Sequence, residues 1–157
     1  MIVYRLAREK YKNDLSGRGA EDAGGRWNSK GVPLLYTAES RALCALEIAV
    51  HIQLNIVPLD YLMITIDIPA FPKPQEISYA HLPEHWRNFP EIKFTQNIGD
   101  RFFREGKNLA LRVPSAIIKG DYNILINPAH IDFRSVKVVS MEPFEFDQRL
   151  FIKDAEA

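Results

Sequence analysis

The chain has 157 residues, 46% of them hydrophobic and 25% charged, with a formal net charge of zero. That profile excludes a disordered tail, a fibrous repeat and a general nucleic-acid binder that works by neutralising phosphates, and the length suits a single domain around one core. Cys44 is the only cysteine, which excludes an intramolecular disulfide and a cysteine-based metal cluster and fits a reducing cytoplasm.

The charge is unevenly spread. Residues 1–41 carry eight Lys or Arg against five Asp or Glu, whereas residues 42–86 hold one positive charge, Lys73. A local anion site in the N-terminal third, or simply a solvated basic face, would account for this. Arg5 and Arg8 break up the N-terminus, so it does not read as a signal peptide. No apolar run approaches the ~20 residues of a membrane span.

In chain order, VYRL reads as a first strand. The stretch Asn13 to Gly31, rich in Gly, Asp, Asn and Ser, reads as a long loop of the kind that is usually functional. VPLLYT reads as a strand with Pro33 near its start. Ser40 is a suitable N-cap for a helix through RALCALEIAVHIQL, residues 41–54. YLMITIDI alternates, with Leu62, Ile64, Ile66 and Ile68 on one face, as a half-buried strand does. Pro69, Pro72 and Pro74 then impose an irregular connection. Thr95 is expected to cap a helix through IGDRFFRE that Gly106 ends. LALRVPSAII, YNILINP and VKVVSM supply three more strands. Strands outnumber helices without βαβ alternation, so the expected fold is a single-domain α+β protein with a mixed or antiparallel sheet and flanking helices.

Three constellations carry chemistry. Leu43, Glu47, Val50 and Leu54 form one stripe of a helix that is apolar nearly all round and is therefore expected to be buried. An ionised carboxylate there must be paired or must face a wet cleft. A Glu47–His51 pair or a bridge to an arginine is the structural alternative to a functional Glu47. GGRWN, residues 24–28, offers two glycines, the planar fork of Arg26 for phosphate or carboxylate, and Trp27 as an anchor. VPSA places Ser115 between strands, and LINPAH supplies Asn127 and His130. There is no G-x-S-x-G elbow, HExxH, P-loop or GxGxxG motif.

These pieces, in this order, resemble the RES-domain family, named for an arginine, a glutamate and a serine. The matching residues are Arg26 in GGRWN, Glu47 in ALEIAVH and Ser115 in VPSA, with Arg5 in VYRL, Tyr36 in LLYTA and Asn127 in INPAH. The likeness runs from Tyr4 to about Leu150, which makes residues 1–157 one RES domain; Ile68 to Phe94 carries no matching motif. The resemblance implies an ADP-ribosyltransferase-like fold and the toxin half of a bacterial toxin–antitoxin pair, acting in the cytoplasm. It implies that NAD is the substrate, with no metal, and that the nicotinamide–ribose bond is cut by hydrolysis or phosphorolysis. It further implies Arg26, Glu47 and Ser115 as catalytic residues, with Arg5, Tyr36 and Asn127 binding the dinucleotide. The implied partner is a helix-turn-helix antitoxin of Xre type that covers the active site, within a homodimer or hetero-oligomer and without direct nucleic-acid or membrane binding. Alternatives are a protein ADP-ribosyltransferase and a non-catalytic interaction module whose Arg–Glu contact is structural. An RNA-cleaving toxin is disfavoured, since no basic, aromatic-lined groove is evident.

Overall fold

A computed structural model describes residues 1–53 and 56–151. In chain order the elements are β1 (Ile2–Arg8), α1 (Arg18–Ala23), β2 (Leu35–Ala38), α2 (Arg41–Ala49), β3 (Tyr61–Asp67), β4 (Gln75–Glu76), α3 (Lys93–Glu105), β5 (Ala110–Pro114), β6 (Tyr122–Ile126) and β7 (Lys137–Phe144). The strands form one seven-stranded sheet in the order β4-β5-β6-β2-β1-β3-β7. Every pairing is antiparallel except β4 with β5. The expected α+β domain with a mixed sheet is what the chain forms.

Both sheet faces are covered. Val3, Leu35, Ile64, Ile66, Ile124 and Ile126 fill one face. The alternate residues Leu6, Ala38 and Met63 pack beneath α2 with Leu43 and Cys44. Leu111, Val113 and Leu125 pack with Trp27, Trp86 and Phe102 of α3. This two-sided burial explains why Met63, on the face opposite Ile64, Ile66 and Ile68, is fully buried as well.

The sheet has one weak seam. β1 pairs with β3 along seven residues, but with β2 only at Tyr4↔Ala38. Beyond that point β1 and β2 part, and a cavity opens at the gap.

Three local expectations need correcting. The stretch 13–31 is not all loop, because α1 forms within it. Ser40 does cap α2, its hydroxyl accepting from the Leu43 amide, but the helix ends at Ala49. It lies flat on one sheet face, so only Leu43 and Cys44 are fully buried, while Val50 is 55% exposed; Leu54 lies outside the described residues. α3 begins at Lys93, ahead of Thr95. The Thr95 hydroxyl instead donates to the Ile92 carbonyl at 2.9 Å within the first turn, a back-bond that threonine makes inside helices. Gly106 ends α3 at φ 56° as expected.

Gly99 sets the position of α3. A Cβ there would lie 1.6 Å from the Trp27 carbonyl oxygen, so only glycine lets the helix meet the 24–28 loop backbone to backbone.

Candidate active site

The cavity at the β1–β2 seam has a volume of about 250 Å³. Its walls include Arg5 and Leu6 of β1, Tyr36 and Thr37 of β2, Cys44 and Glu47 of α2, Asn123 of β6, and Asp14 and Arg18 near α1. Five elements or their flanks thus converge on one space, as in pockets shaped for small ligands.

Glu47 is its chemical centre. The helix offset carries its side chain down between α2 and the sheet, where Oε1 accepts two hydrogen bonds. The Ser115 hydroxyl donates at 3.0 Å and the Asn123 side-chain amide at 2.5 Å. Both donors are neutral, so among the described residues no cation cancels the carboxylate by direct pairing. His51 follows the helix and is exposed, and the Glu47–His51 pair does not form.

Ser115 is fully buried. Its Oγ accepts from the Ile117 and Ile118 amides at 3.0 and 3.1 Å while donating to Glu47. Its own amide donates to the Asp121 carbonyl, closing the β5–β6 loop. With no exposed surface and its hydroxyl bonded to two amides and to Glu47, Ser115 fixes the position of the Glu47 carboxylate.

Arg26 does not line the cavity. Its Nη1 donates to the carbonyls of Trp86 and Asn88 at 2.7 and 3.0 Å. Burial draws its pKa below the ordinary value, opposed in part by the charges of Glu91 and Glu47. Arg26 therefore makes no structural bridge to Glu47; it ties the 24–28 loop to the 86–88 segment. That loop is held further by Tyr36, whose hydroxyl accepts from the Trp27 amide at 3.1 Å and donates to Asn28 Oδ1 at 2.7 Å. Burial pushes the Tyr36 phenol well above its usual pKa, so it stays a neutral donor. Gln96 and Asp100 of α3 bind Gly25 and Ser29 from the other side.

Arg5 is poised differently. Its one hydrogen bond among the described residues is a long 3.4 Å contact from Nη1 to the Tyr11 carbonyl. Burial lowers its pKa, with Asp14 opposing. Most of its donors are thus free toward the cavity. Asn127 is not brought to the site: it is 1% exposed, its Nδ2 donates to the Phe103 carbonyl and its Oδ1 accepts from the Ala129 amide. It fixes the turn after β6, as an asparagine beside a proline readily does.

Sequence reasoning missed Asn123, Asn28, Asp14 and Arg18. Asn123 carried a signal, since it is the polar member of the β6 face that otherwise presents Leu125. Asn28 is buried and donates to the carbonyls of Ala20, Ser29 and Val32; nothing in GGRWN marks it as the hub of the loop.

Comparison with known proteins is consistent with this architecture. The RES domain matches residues 2–147. The chain is 34% identical over 149 residues to the Prs ADP-ribosylating toxin of Sphingobium sp. strain YBL2, covering 94% of this chain and 92% of that one. It is 36% identical over 152 residues to Toxin Res of Photorhabdus laumondii, covering 96% and 97%. Toxin Res of Pseudomonas putida is 36% identical over 154 residues, with 96% and 100% covered. Among solved structures, the fold resembles the M. tuberculosis MbcT–MbcA toxin–antitoxin complex, with a TM-score of 0.71 at 19% identity, over 96% of this chain and 86% of that one. The chain belongs to the RES-domain family.

Proposed function

We propose that the protein is a toxin that consumes NAD by cleaving the bond between nicotinamide and ribose, as a glycohydrolase or phosphorylase, and so arrests growth. The observation that carries this reading is Glu47: a carboxylate on a cavity wall, with one oxygen fixed by two neutral donors and no direct cation partner among the described residues. Nicotinamide leaves as a neutral base, so the demand is to stabilise positive charge on an oxocarbenium-like ribose rather than to protonate a leaving group. A fixed carboxylate without a directly paired cation meets that demand. With Oε1 occupied, Oε2 is the oxygen available to a ribose hydroxyl.

Arg5, with most donors free, clamps the pyrophosphate; the Tyr36 ring offers a face for nicotinamide or ribose. Arg26 adds positive charge near the site while holding the 86–88 segment. At about 250 Å³ the cavity falls just below the ~300–1,000 Å³ typical of sites that enclose a drug-sized ligand. It takes the nicotinamide riboside half and leaves the adenosine half at the mouth. The fold neighbour was solved as a toxin–antitoxin complex, which supports an antitoxin partner for this chain. We assign that partner to the helix-turn-helix, Xre type, covering the cavity mouth, and place the activity in the cytoplasm. The test is nicotinamide release by purified protein, with and without inorganic phosphate, beside Glu47→Gln. Release abolished by the substitution is expected, and phosphate dependence names the acceptor. Full activity of Glu47→Gln would sink the assignment.

A second reading, transfer of ADP-ribose to a protein, is favoured by the name of the Sphingobium relative. Labelled NAD added to a lysate separates the two, since transfer alone leaves stable label on a protein band.

A further inference from the structure

The segment 68–94, which contributes none of the site residues named from the sequence, is tied to the site by a chain of polar contacts. Residues 84–87 form a turn, and Trp86, 5% exposed, packs its ring 5.8 Å from that of Trp27. Arg26 grips the carbonyls on either side of Arg87, at Trp86 and Asn88. Between them, Arg87 reaches the opposite way. Its Nε donates to the Ala116 carbonyl at 2.7 Å and its Nη2 to the Ile117 carbonyl at 3.2 Å. The peptide groups it holds belong to the turn whose Ile117 and Ile118 amides bind Ser115 Oγ, and Ser115 donates to Glu47. The connection runs from Arg26 through the 86–88 backbone, Arg87, the 116–118 backbone and Ser115 to Glu47. Tyr79 adds a second tie from the same segment, its hydroxyl accepting from the Gly120 amide at 3.2 Å.

Arginine suits this task physically. A flat fork of charged donors can hold two successive carbonyls in fixed relation, which lysine cannot do. Bonds with one charged partner are also the stronger kind. Arg87 has no carboxylate within salt-bridge distance among the described residues, so its charge is not committed to an ion pair. It is exposed and shapes no part of the core.

We propose that Arg87 is a positioning residue for the NAD-cleaving site: it holds the 116–118 turn so that Ser115 directs its hydroxyl at Glu47. The catalytic half of this statement rests on the function proposed above; the geometric half does not. The strap made by residues 84–88 thereby makes Arg26 and Glu47 interdependent although they share no hydrogen bond.

The test has two arms. In the first, amide hydrogen exchange is followed in wild type, Arg87→Ala and Arg87→Lys, without NAD. The Ile117 and Ile118 amides of Arg87→Ala are expected to exchange about tenfold faster, with Ile124 and Leu125 of β6 unchanged and Arg87→Lys intermediate. Unchanged exchange at 117 and 118 overturns the proposal. In the second arm, nicotinamide release is measured for Arg87→Ala, Ser115→Ala and the double variant. Arg87→Ala is expected to lower kcat about tenfold with KM within about twofold, and to have no further effect once Ser115 is alanine. Independent, multiplicative losses, or an unaltered kcat, overturn the catalytic role. If wild type releases no nicotinamide while exchange at 117 and 118 responds as expected, the NAD reading fails and the positioning geometry stands.

Discussion

Tyr122 and Asn123 are neighbours on β6 and serve two unlike polar clusters, one on each side of the sheet. On the Tyr122 side, Arg112 of β5 binds Glu39 through Nε at 2.5 Å and Nη2 at 3.2 Å, and Glu76 through Nη1 at 3.2 Å. Its guanidinium lies 3.4 Å from the centre of the Tyr122 ring. On the Asn123 side, Glu47 receives only uncharged donors. In the first cluster each carboxylate is paired directly with the guanidinium, and Glu39 raises the Arg112 pKa. The second leaves on a cavity wall a carboxylate with no directly paired cation among the described residues. Direct ion pairing is what structure asks of a polar cluster, and a fixed carboxylate without such a partner is what chemistry on a cationic transition state asks.

Substitutions sharpen that contrast. Glu47→Gln keeps the shape and removes the charge, so nicotinamide release should fall by about 10³-fold, the upper part of the range for losing one electrostatic stabiliser. The melting temperature should move little. A large loss of stability with modest loss of turnover would put Glu47 in the same class as Arg112. Asn123→Leu removes the shorter of the two bonds to Oε1 and should lower kcat by about 10–100-fold, as loss of an outer partner does at other sites; steady-state kinetics on protein matched for folded fraction decides it. Arg112→Ala should do the reverse. It should cost about 1–2 kcal/mol in urea unfolding, summing a partly exposed ion pair and a stacked cation, while leaving kcat within about twofold.

The smallest effect concerns Cys44, which lines the cavity yet is 5% exposed. Burial pushes its thiol up to about 12. The folded state therefore favours the protonated form, and the stability that this provides is present below the unfolded thiol pKa and declines as pH rises toward 12. At pH 8 the folded protein should resist iodoacetamide over hours and react once unfolded. Prompt alkylation of native protein would show that the seam between β1 and β2 opens readily.

The elements were legible in the sequence because each rests on local signals. Ser40 caps α2, Gly106 ends α3, and the alternation from Leu62 to Ile68 marks β3. The boundaries slipped because the same residue types serve either side of a helix end. The α2 helix stops at Ala49 although the apolar pattern continues to Ile52, which still packs on the core. Thr95 bonds back to Ile92 from inside the first turn of α3 instead of preceding it. The site was legible as residue types with unlike roles. Glu47 stood out as a carboxylate on an apolar helix. That Ser115 holds Glu47, that Arg26 faces the 86–88 backbone and that Asn127 is tied to Phe103 all depend on pairings across 24–68 positions of chain. No local pattern records such pairings. Asp14 and Arg18 were hidden in a stretch that reads as loop and becomes a wall only when α1 forms.

Gly99 carries a practical consequence. The space for its missing methyl is taken by the Trp27 carbonyl, and the 24–28 loop to which that carbonyl belongs carries Arg26, which grips the strap. Growth arrest by such a protein could thus be attenuated away from the cavity wall, by replacing one hydrogen with a methyl where two backbones touch. Gly99→Ala is the natural starting point for a temperature-conditional allele, in which the catalytic groups stay chemically intact and only their scaffold is heat-labile.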